Sequence, residues 1–160
     1  MNLRFYEISA SDTNKIKESY RIIKECGEYM YKELGLCHWK TPYPIDSIQN
    51  DCTNRHVFLV EDLDSGRYVH TFQIEISYNV ATIAKLYKMA TLPLASGQGI
   101  GMSSMAYIED FCHKAGVYSL YLDVYDKSEN AIQFFKKHHF SITGSRPTTY
   151  FRVYIMEKVL

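Results

Sequence analysis

The sequence lacks the features that mark several large classes of protein. Basic and acidic residues number 18 each, so the net charge is zero and supplies no long-range attraction toward nucleic acid or an anionic membrane. No apolar run approaches the roughly 20 residues needed to cross a bilayer. The first residues, MNLRFYEIS, lack the apolar region of a signal peptide. We therefore expect a cytoplasmic protein that binds neither nucleic acid nor membrane.

Metal-site and linker patterns are missing too. The four cysteines form no CxxC pair and have no regular spacing, so we expect reduced thiols. The neighbours His138 and His139 diverge on a helix and have no second ligand pair, so we expect no metal. No repeat, low-complexity tract or long linker interrupts the 160 residues, 46% of which are hydrophobic. We predict a single domain over residues 1–160.

The spacing of apolar residues predicts a mixed α/β order. A first strand at Leu3–Ile8 precedes a long helix that Ser11 or Asp12 could cap and that Gly35 ends. The ring-rich segment 37–52 suits an irregular loop with one short helix after Pro44. Three strands follow, at His56–Asp62, Arg67–Tyr78 and Ile83–Thr91. Next come a helix with an apolar stripe of Met105, Ile108, Cys112 and Ala115, and a strand at Tyr118–Val124. A helix that Ser128 can cap and a final strand at Tyr150–Val159 complete the order. This order predicts one sheet, with parallel pairing where a helix connects two strands.

Three glycines at alternate positions, Gly97, Gly99 and Gly101, separate the fourth strand from the next helix. Glycines let an anion approach the backbone N–H groups of a helix's first turn, where the dipole also favours negative charge. A Walker loop ends in Gly-Lys-Ser/Thr, and it is excluded because Gly101 is followed by Met102 and not by lysine. A dinucleotide fingerprint would need glycine at position 102 and an earlier place in the chain. The loop therefore predicts a different phosphate ligand.

Two longer segments identify that ligand by resemblance. KMATLPLASGQGIG is similar to the fourth strand and acetyl-CoA loop, R/Q-x-x-G-x-G/A, of the GCN5-related N-acetyltransferase (GNAT) superfamily. LDVYDKSENAIQFFKKHHF resembles that family's fifth strand and following helix, commonly L-x-V-x-x-x-N-x-x-A-x-x-x-Y-x-K-x-G-F. The match covers residues 88–140, and the element order agrees over the whole chain. The resemblance implies a single mixed, mostly antiparallel sheet of six to seven strands, helices on both faces and a splayed fourth and fifth strand pair.

The resemblance also implies acetyl-CoA as cosubstrate, without a metal. Backbone N–H groups of about Gln98 to Met102 would bind the pyrophosphate, and Met89 and Thr91 would hydrogen-bond the pantetheine arm. The Met89 N–H would also polarise the thioester carbonyl. The cofactor-binding residues implied are Met89, Ala90, Thr91, Ser96, Gly97, Gln98, Gly99, Ile100, Gly101, Met102, Ser128 and Phe135.

Three residues depart from the family pattern. Ser96 stands where Arg or Gln usually supplies a long side-chain donor to the phosphates, and Gln98 is a candidate to supply that donor instead. Ser128 replaces a frequent Asn. Phe135 occupies the position of a Tyr that protonates the leaving thiolate in many members, a role that Tyr125, another phenol such as Tyr150, or water could take here. Three hypotheses stay open. One is an N-acetyltransferase in which a primary amine of a small molecule or protein attacks directly within a ternary complex. The second is a weakly active or inactive CoA-binding or interaction domain, and the third is transfer of a different acyl group.

The acceptor side has three candidate residues. Glu75 is a candidate base that could equally be a solvent-facing strand residue. Trp39 and Tyr43 follow the first helix, where the superfamily forms a wall of the acceptor cleft, and would suit an apolar or cationic acceptor. Trp39 could instead, or also, anchor the loop onto the core. The expected partners are acetyl-CoA and an amine, and a homodimer stays open because many relatives dimerise.

Overall fold

The computed structural model describes all 160 residues, as seven strands, four α-helices and one turn of 3-10 helix. In chain order these are β1 (Leu3–Glu7), α1 (Thr13–Leu34), α2 (Ile45–Asn54), β2 (His56–Asp62), β3 (Arg67–Tyr78), β4 (Thr82–Thr91), the 3-10 turn (Pro93–Ala95), α3 (Ile100–Lys114), β5 (Ser119–Tyr125), α4 (Glu129–Lys137), β6 (Ser141–Pro147) and β7 (Arg152–Val159). None of the helices combines the length and apolar character that crossing a bilayer requires.

The seven strands form one sheet in the order β1-β2-β3-β4-β5-β7-β6. β1 with β2, β2 with β3, β5 with β7 and β6 with β7 pair antiparallel. β4 and β5 pair in parallel, over Ile83–Leu86 and Ser119–Leu122. The predicted fold class, a mixed and mostly antiparallel sheet of the GNAT type, is confirmed.

Two compact units divide the chain, and the first comprises Met1–Glu75 and Lys88–Ser103. The Asp12 side chain accepts a hydrogen bond from the Lys15 N–H at 3.1 Å and caps α1, and Gly35 ends the helix in the left-handed conformation. Apolar side chains of α1 and α2 pack with those of β2 to form the core of this unit, in which Ile22, Ile48, Val57 and Leu59 are fully buried. The bounds of β2 and β3 agree with the prediction, and the short helix after Pro44 runs on to Asn54.

The second unit comprises Ile76–Tyr87 and Ser104–Leu160. The predicted apolar stripe of α3 is confirmed for Met105, Ile108 and Cys112, which are fully buried, whereas its fourth member, Ala115, follows the end of the helix. Burial raises the pKa of the Cys112 thiol to about 11, and all four cysteines are thiols, not disulfides. Tyr118, the first residue of the predicted fifth strand, is 62% exposed and precedes β5, which begins at Ser119.

The end of the chain differs from the prediction. The single final strand predicted for Tyr150–Val159 is the second strand of an antiparallel pair, β6 and β7. β6 lies at the edge of the sheet and is exposed at six of its seven residues, so its sequence, SITGSRP, has no apolar alternation to reveal it. Ser128 precedes α4 as predicted, but its hydroxyl makes no capping hydrogen bond. His139 adopts the left-handed conformation after α4, with φ of 70°.

Candidate functional site

The glycine loop is exposed in its middle and anchored at both ends. Leu92, Ala95 and Ile100 are buried in the core of the first unit. The Leu92 N–H also donates to the Val69 carbonyl oxygen at 2.8 Å. Residues 96–99 between these anchors are exposed. The core therefore fixes where the loop lies and leaves its backbone open to solvent.

Backbone conformation, not crowding, explains two of the three glycines. Gly97 and Gly99 have φ of 75° and 82°, a region that other residues rarely adopt, and an added Cβ at either would meet no atom within 4 Å. Gly101 lies in the first turn of α3. The space beside Gly97 and Gly99 is therefore open to a ligand, and a side chain there would both strain the backbone and occupy that space.

The start of α3 offers unused hydrogen-bond donors. The Ser103 N–H donates to the Gly99 carbonyl oxygen at 3.1 Å, which makes Gly99 the residue that precedes the first turn. The N–H groups of Ile100, Gly101 and Met102 consequently have no acceptor within the helix. Together with the helix dipole they form an anion site of the kind that holds phosphate groups. Of the nearby side chains, the Gln98 amide donates to the Leu94 carbonyl oxygen at 3.4 Å, a long hydrogen bond.

The end of β4 is held in place by neighbouring side chains. Lys88 has φ of 51°, which interrupts the regular strand just before Met89. Ala90 is buried in the core of the first unit. Nδ1 of the fully buried His70 lies 2.8 Å from the Thr91 hydroxyl, and burial lowers the pKa of His70 to about 3, so this imidazole is neutral. Two of the three residues in the segment that the resemblance assigns to the pantetheine arm, Met89–Thr91, are therefore held by core packing or by a side-chain hydrogen bond.

A lysine of the chain itself covers the two predicted acceptor-wall rings. Nζ of Lys88 lies 4.4 Å from the ring centre of Tyr43 and 5.5 Å from that of Trp39, within cation–π range of both. Burial lowers the pKa of Lys88, and the nearby Arg55 charge adds to this effect. Burial, together with Lys88, lowers the pKa of His38 to about 4. The position that two aromatic faces offer to a cation is thus taken by Lys88.

Trp39 also anchors its loop. Its carbonyl oxygen would lie 2.4 Å from a Cβ added to Gly27, in the middle of α1, so this close approach requires glycine. The indole is partly buried against the core of the first unit. The two interpretations of Trp39, anchor and pocket wall, are therefore compatible in one side chain.

Arg55, directly after α2, joins a polar network that ends at Glu75. Its guanidinium donates to Oε1 of Gln73 at 2.9 Å and to the Glu75 carboxylate at 3.4 Å, and lies 3.8 Å from Oδ1 of Asp51. The Tyr43 hydroxyl donates to Oδ2 of Asp51 at 2.7 Å, and burial and this carboxylate raise the pKa of Tyr43 to about 12. The Glu75 side chain is 39% exposed and that of Asp51 is 9% exposed. Of the two carboxylates, Glu75 is the one that solvent or a ligand can reach.

The second unit contains the remaining predicted site residues. The Ser128 hydroxyl is buried without a hydrogen-bond partner, and Phe135 is half-buried against Phe134 and Phe140. Tyr125 is 7% exposed and packs edge-on against Phe151. The assignment of these residues to a ligand or to proton transfer rests on the resemblance alone. No group of three or more His, Cys, Asp or Glu side chains is arranged to hold a metal ion.

Comparison with known families agrees with this geometry. The model of the acetyltransferase (GNAT) family matches residues 18–140, from α1 to the end of α4, a range that contains the glycine loop. The chain belongs to the GNAT acetyltransferase family. No curated protein matches the sequence significantly.

Solved structures of the GNAT fold align over the full chain. The ribosomal-protein-S18-alanine N-acetyltransferase of Escherichia coli has 18% identity and a TM-score of 0.74, over 99% of this chain and 94% of the other. The PaiA N-acetyltransferase of Thermoplasma acidophilum, in complex with coenzyme A, has 18% identity and a TM-score of 0.73 over all of both chains. NAA60 of Arabidopsis thaliana, in complex with a bisubstrate analogue, has 13% identity and a TM-score of 0.70 over 99% and 98%. At these low sequence identities, the structural similarity shows that the fold is shared and nothing more.

The glycine loop is compatible with the CoA that the resemblance implies, because it offers three backbone donors beside open space. In the second unit, Ser128 has a buried hydroxyl that lacks a partner, which is unusual unless a ligand or water completes it. Sequence reasoning missed Lys88, Asp51, Arg55 and Gln73. Asp51 and Arg55 are four residues apart, a spacing shared with any surface ion pair on a helix, and the left-handed backbone of Lys88 has no sequence signal.

Proposed function

We propose that this GNAT chain is an acetyl-CoA-dependent N-acetyltransferase acting on a primary amine of a small molecule or a protein. The observation that supports it most directly is the exposed glycine loop, with its unused N–H groups at Ile100, Gly101 and Met102. The proposal assigns the pyrophosphate of CoA to this loop. Backbone groups of Met89 and Thr91 then hold the pantetheine arm as an added strand.

The reaction is a direct transfer. Acetyl-CoA supplies an activated thioester carbonyl. The Met89 N–H donates to the carbonyl oxygen as the acceptor nitrogen bonds to the acetyl carbon, and the carbon–sulfur bond then breaks. The nitrogen loses its proton and the departing thiolate gains one, so charge balances. Cys112 takes no part because it is fully buried and no acyl-enzyme is needed.

Glu75 is the base that this proposal favours. The acceptor must lose a proton before it can attack, since an ammonium has no lone pair. The Glu75 carboxylate is partly exposed and accepts one long hydrogen bond from Arg55 at 3.4 Å, whereas Asp51 is nearly buried and accepts from Tyr43 at 2.7 Å. The proton can pass from the amine to Glu75 directly or through one water. For the thiolate, Tyr125 is the proposed proton donor, with water as the alternative.

Two measurements on the purified protein test the proposal. Calorimetry should give saturable binding of CoA, and a thiol-release assay with acetyl-CoA and a panel of amines should give turnover that depends on the acceptor. Absence of CoA binding would overturn the whole assignment. Glu75→Gln should lower kcat by about 10²-fold or more while CoA affinity is retained, the scale typical for loss of a general base.

A non-catalytic CoA-binding domain is the second candidate function, and Phe135 is the observation in its favour. Its ring has no proton to donate, and its neighbours Phe134 and Phe140 are equally apolar. This candidate predicts saturable acetyl-CoA binding without thiol release across the whole acceptor panel. Robust turnover with any amine would eliminate it.

A further inference from the structure

We infer that the acceptor carries an anionic group in addition to its amine, and that Lys88 is the residue that selects for it. The inference rests on the proposed function and names the chemical class of its acceptor. The geometry behind it is the position of Lys88 Nζ over the Trp39 and Tyr43 rings, and the polar network that runs from Tyr43 through Asp51 to Arg55.

The Lys88 ammonium has aromatic neighbours but no ion pair. Its Nζ lies over Tyr43 and Trp39, and it forms no salt bridge with a carboxylate. An ammonium has three N–H donors, and two ring faces attract its charge without accepting all of them. A partly buried ammonium whose N–H groups lack acceptors is unfavourable, so an anion that accepts from them there is stabilised.

The nearby carboxylates are already engaged. Asp51 accepts from Tyr43 and faces Arg55, while Glu75 accepts from Arg55. The two carboxylates balance the two cations in charge, but their contacts are with Arg55 and Tyr43, so Lys88 is the cation left without a direct ion pair. The buried Gln73 amide adds a second unmet donor to the same network, since its Nε2 has no partner and its Oε1 accepts from Arg55.

The same arrangement disfavours a second cation on the acceptor. A diamine or a quaternary ammonium would have to displace Lys88 from the Trp39 and Tyr43 rings and would meet the Arg55 charge as well. The acceptor that fits is an amine whose reacting end is near Glu75 and whose other end carries a carboxylate. The aromatic pair alone suggests a cationic acceptor; Lys88 reverses that expectation.

The test is an acceptor series that differs only in terminal charge. ω-Amino acids of three to six carbons, their terminal amides and the matching diamines are compared by kcat/KM in the thiol-release assay. We expect the acids to exceed the amides about tenfold to hundredfold at the favoured length, the range of one charge-assisted hydrogen bond, and the diamines to be poorest. A preference for amides or diamines would overturn the inference.

Variants assign the preference to Lys88. Lys88→Met should remove the acid-to-amide ratio, Lys88→Arg should retain it and Lys88→Glu should shift it toward diamines. The matched control is Lys40→Met, because Lys40 also lies over a tyrosine, Tyr31, at 4.6 Å, but is exposed. A ratio that is unchanged in Lys88→Met refutes the role of Lys88, and circular dichroism of each variant shows that it is folded.

A binding measurement separates failure of this inference from failure of the proposed function. Calorimetry follows the binding of propionate to hexanoate, which carry the carboxylate but no amine, to the CoA-saturated protein. We expect binding by the wild type and by Lys40→Met, and loss of it in Lys88→Met. If acetyl transfer is absent but this pattern is found, the anion site stands without the enzyme. If no carboxylate binds, the inference is wrong whatever the turnover.

Discussion

The residues that decide the cofactor assignment are glycines in the left-handed conformation. Gly97 and Gly99 meet no neighbouring atom where a Cβ would lie, so they leave room beside the unused N–H groups of α3. Sequence spacing was enough to predict this loop, because glycine at alternate positions before an amphipathic helix is a local pattern. It could not predict Lys88 over Trp39 and Tyr43, because that contact joins distant parts of the chain.

Gly99→Glu should abolish CoA binding, since it places both bulk and a like charge at the pyrophosphate position. The matched control is Gly66→Glu in the turn between β2 and β3. Gly66 has φ of 70° and equally open surroundings, so both variants carry a similar backbone strain of about 1–3 kcal/mol. Calorimetry should detect CoA binding in the control alone. Equal affinity in the two variants would refute the placement of the pyrophosphate.

Phe135→Tyr should raise kcat if a proton donor limits the reaction. The resemblance assigns this position to a phenol that protonates the thiolate, and general-acid help is worth about 10²- to 10⁴-fold. Phe134→Tyr, at the neighbouring half-buried ring, is the control. Single-turnover thiol release measures the effect. An unchanged rate in Phe135→Tyr would mean that water or another residue already donates the proton.

Among the helices and strands, those that bury an apolar face are the ones best predicted from the sequence. α1 has an apolar stripe, a capping Asp12 and a terminal Gly35, and its predicted limits agree with the structure. β6 was missed because a strand at the edge of a sheet buries little and needs no apolar alternation. The network of Arg55 with Gln73 and Glu75 joins the end of α2 to β3, and such pairing depends on tertiary contacts that local patterns do not contain.

The link between β3 and β4 through His70 and Thr91 should make stability sensitive to acid. The pKa of His70 is about 3 in the folded chain and about 6.5 as the unperturbed value, so between these limits the unfolded state binds a proton that the folded state does not. Stability should therefore fall as pH drops from about 6.5 toward 3, by up to about 1.4 kcal/mol per pH unit for this group. Urea unfolding at a series of pH values measures the slope.

His70→Gln keeps a hydrogen-bonding amide near Thr91 and removes the titration. Its unfolding free energy should decrease less steeply below pH 6.5 than that of the wild type, even if it is lower at every pH. His113→Gln, on the exposed side of α3, serves as the control and should follow the wild-type slope. Parallel slopes for the wild type and His70→Gln would contradict the neutral, buried state of His70.

The whole molecule should respond to CoA as a ligand of the folded state. A ligand at 100 times its Kd adds about 2.7 kcal/mol to the free energy of unfolding. For a chain of this size that corresponds to an increase in Tm of about 5–10 °C. Differential scanning fluorimetry with CoA should give this increase in the wild type and in Gly66→Glu, and none in Gly99→Glu. An equal increase in Gly99→Glu would show that CoA binds elsewhere.

Position 27 sets how closely the Trp39 loop approaches helix α1. Alanine in the middle of a helix is favoured over glycine by about 1 kcal/mol, yet α1 has glycine there because the Trp39 carbonyl oxygen comes so close. The absence of a single methyl group on α1 thus sets the distance of the Trp39 loop from the helix, and with it the position of the ring that Lys88 covers. Under the proposed function residue 27 is a spacer, so a larger residue there should shift the Trp39 ring and change acceptor preference without altering the glycine loop.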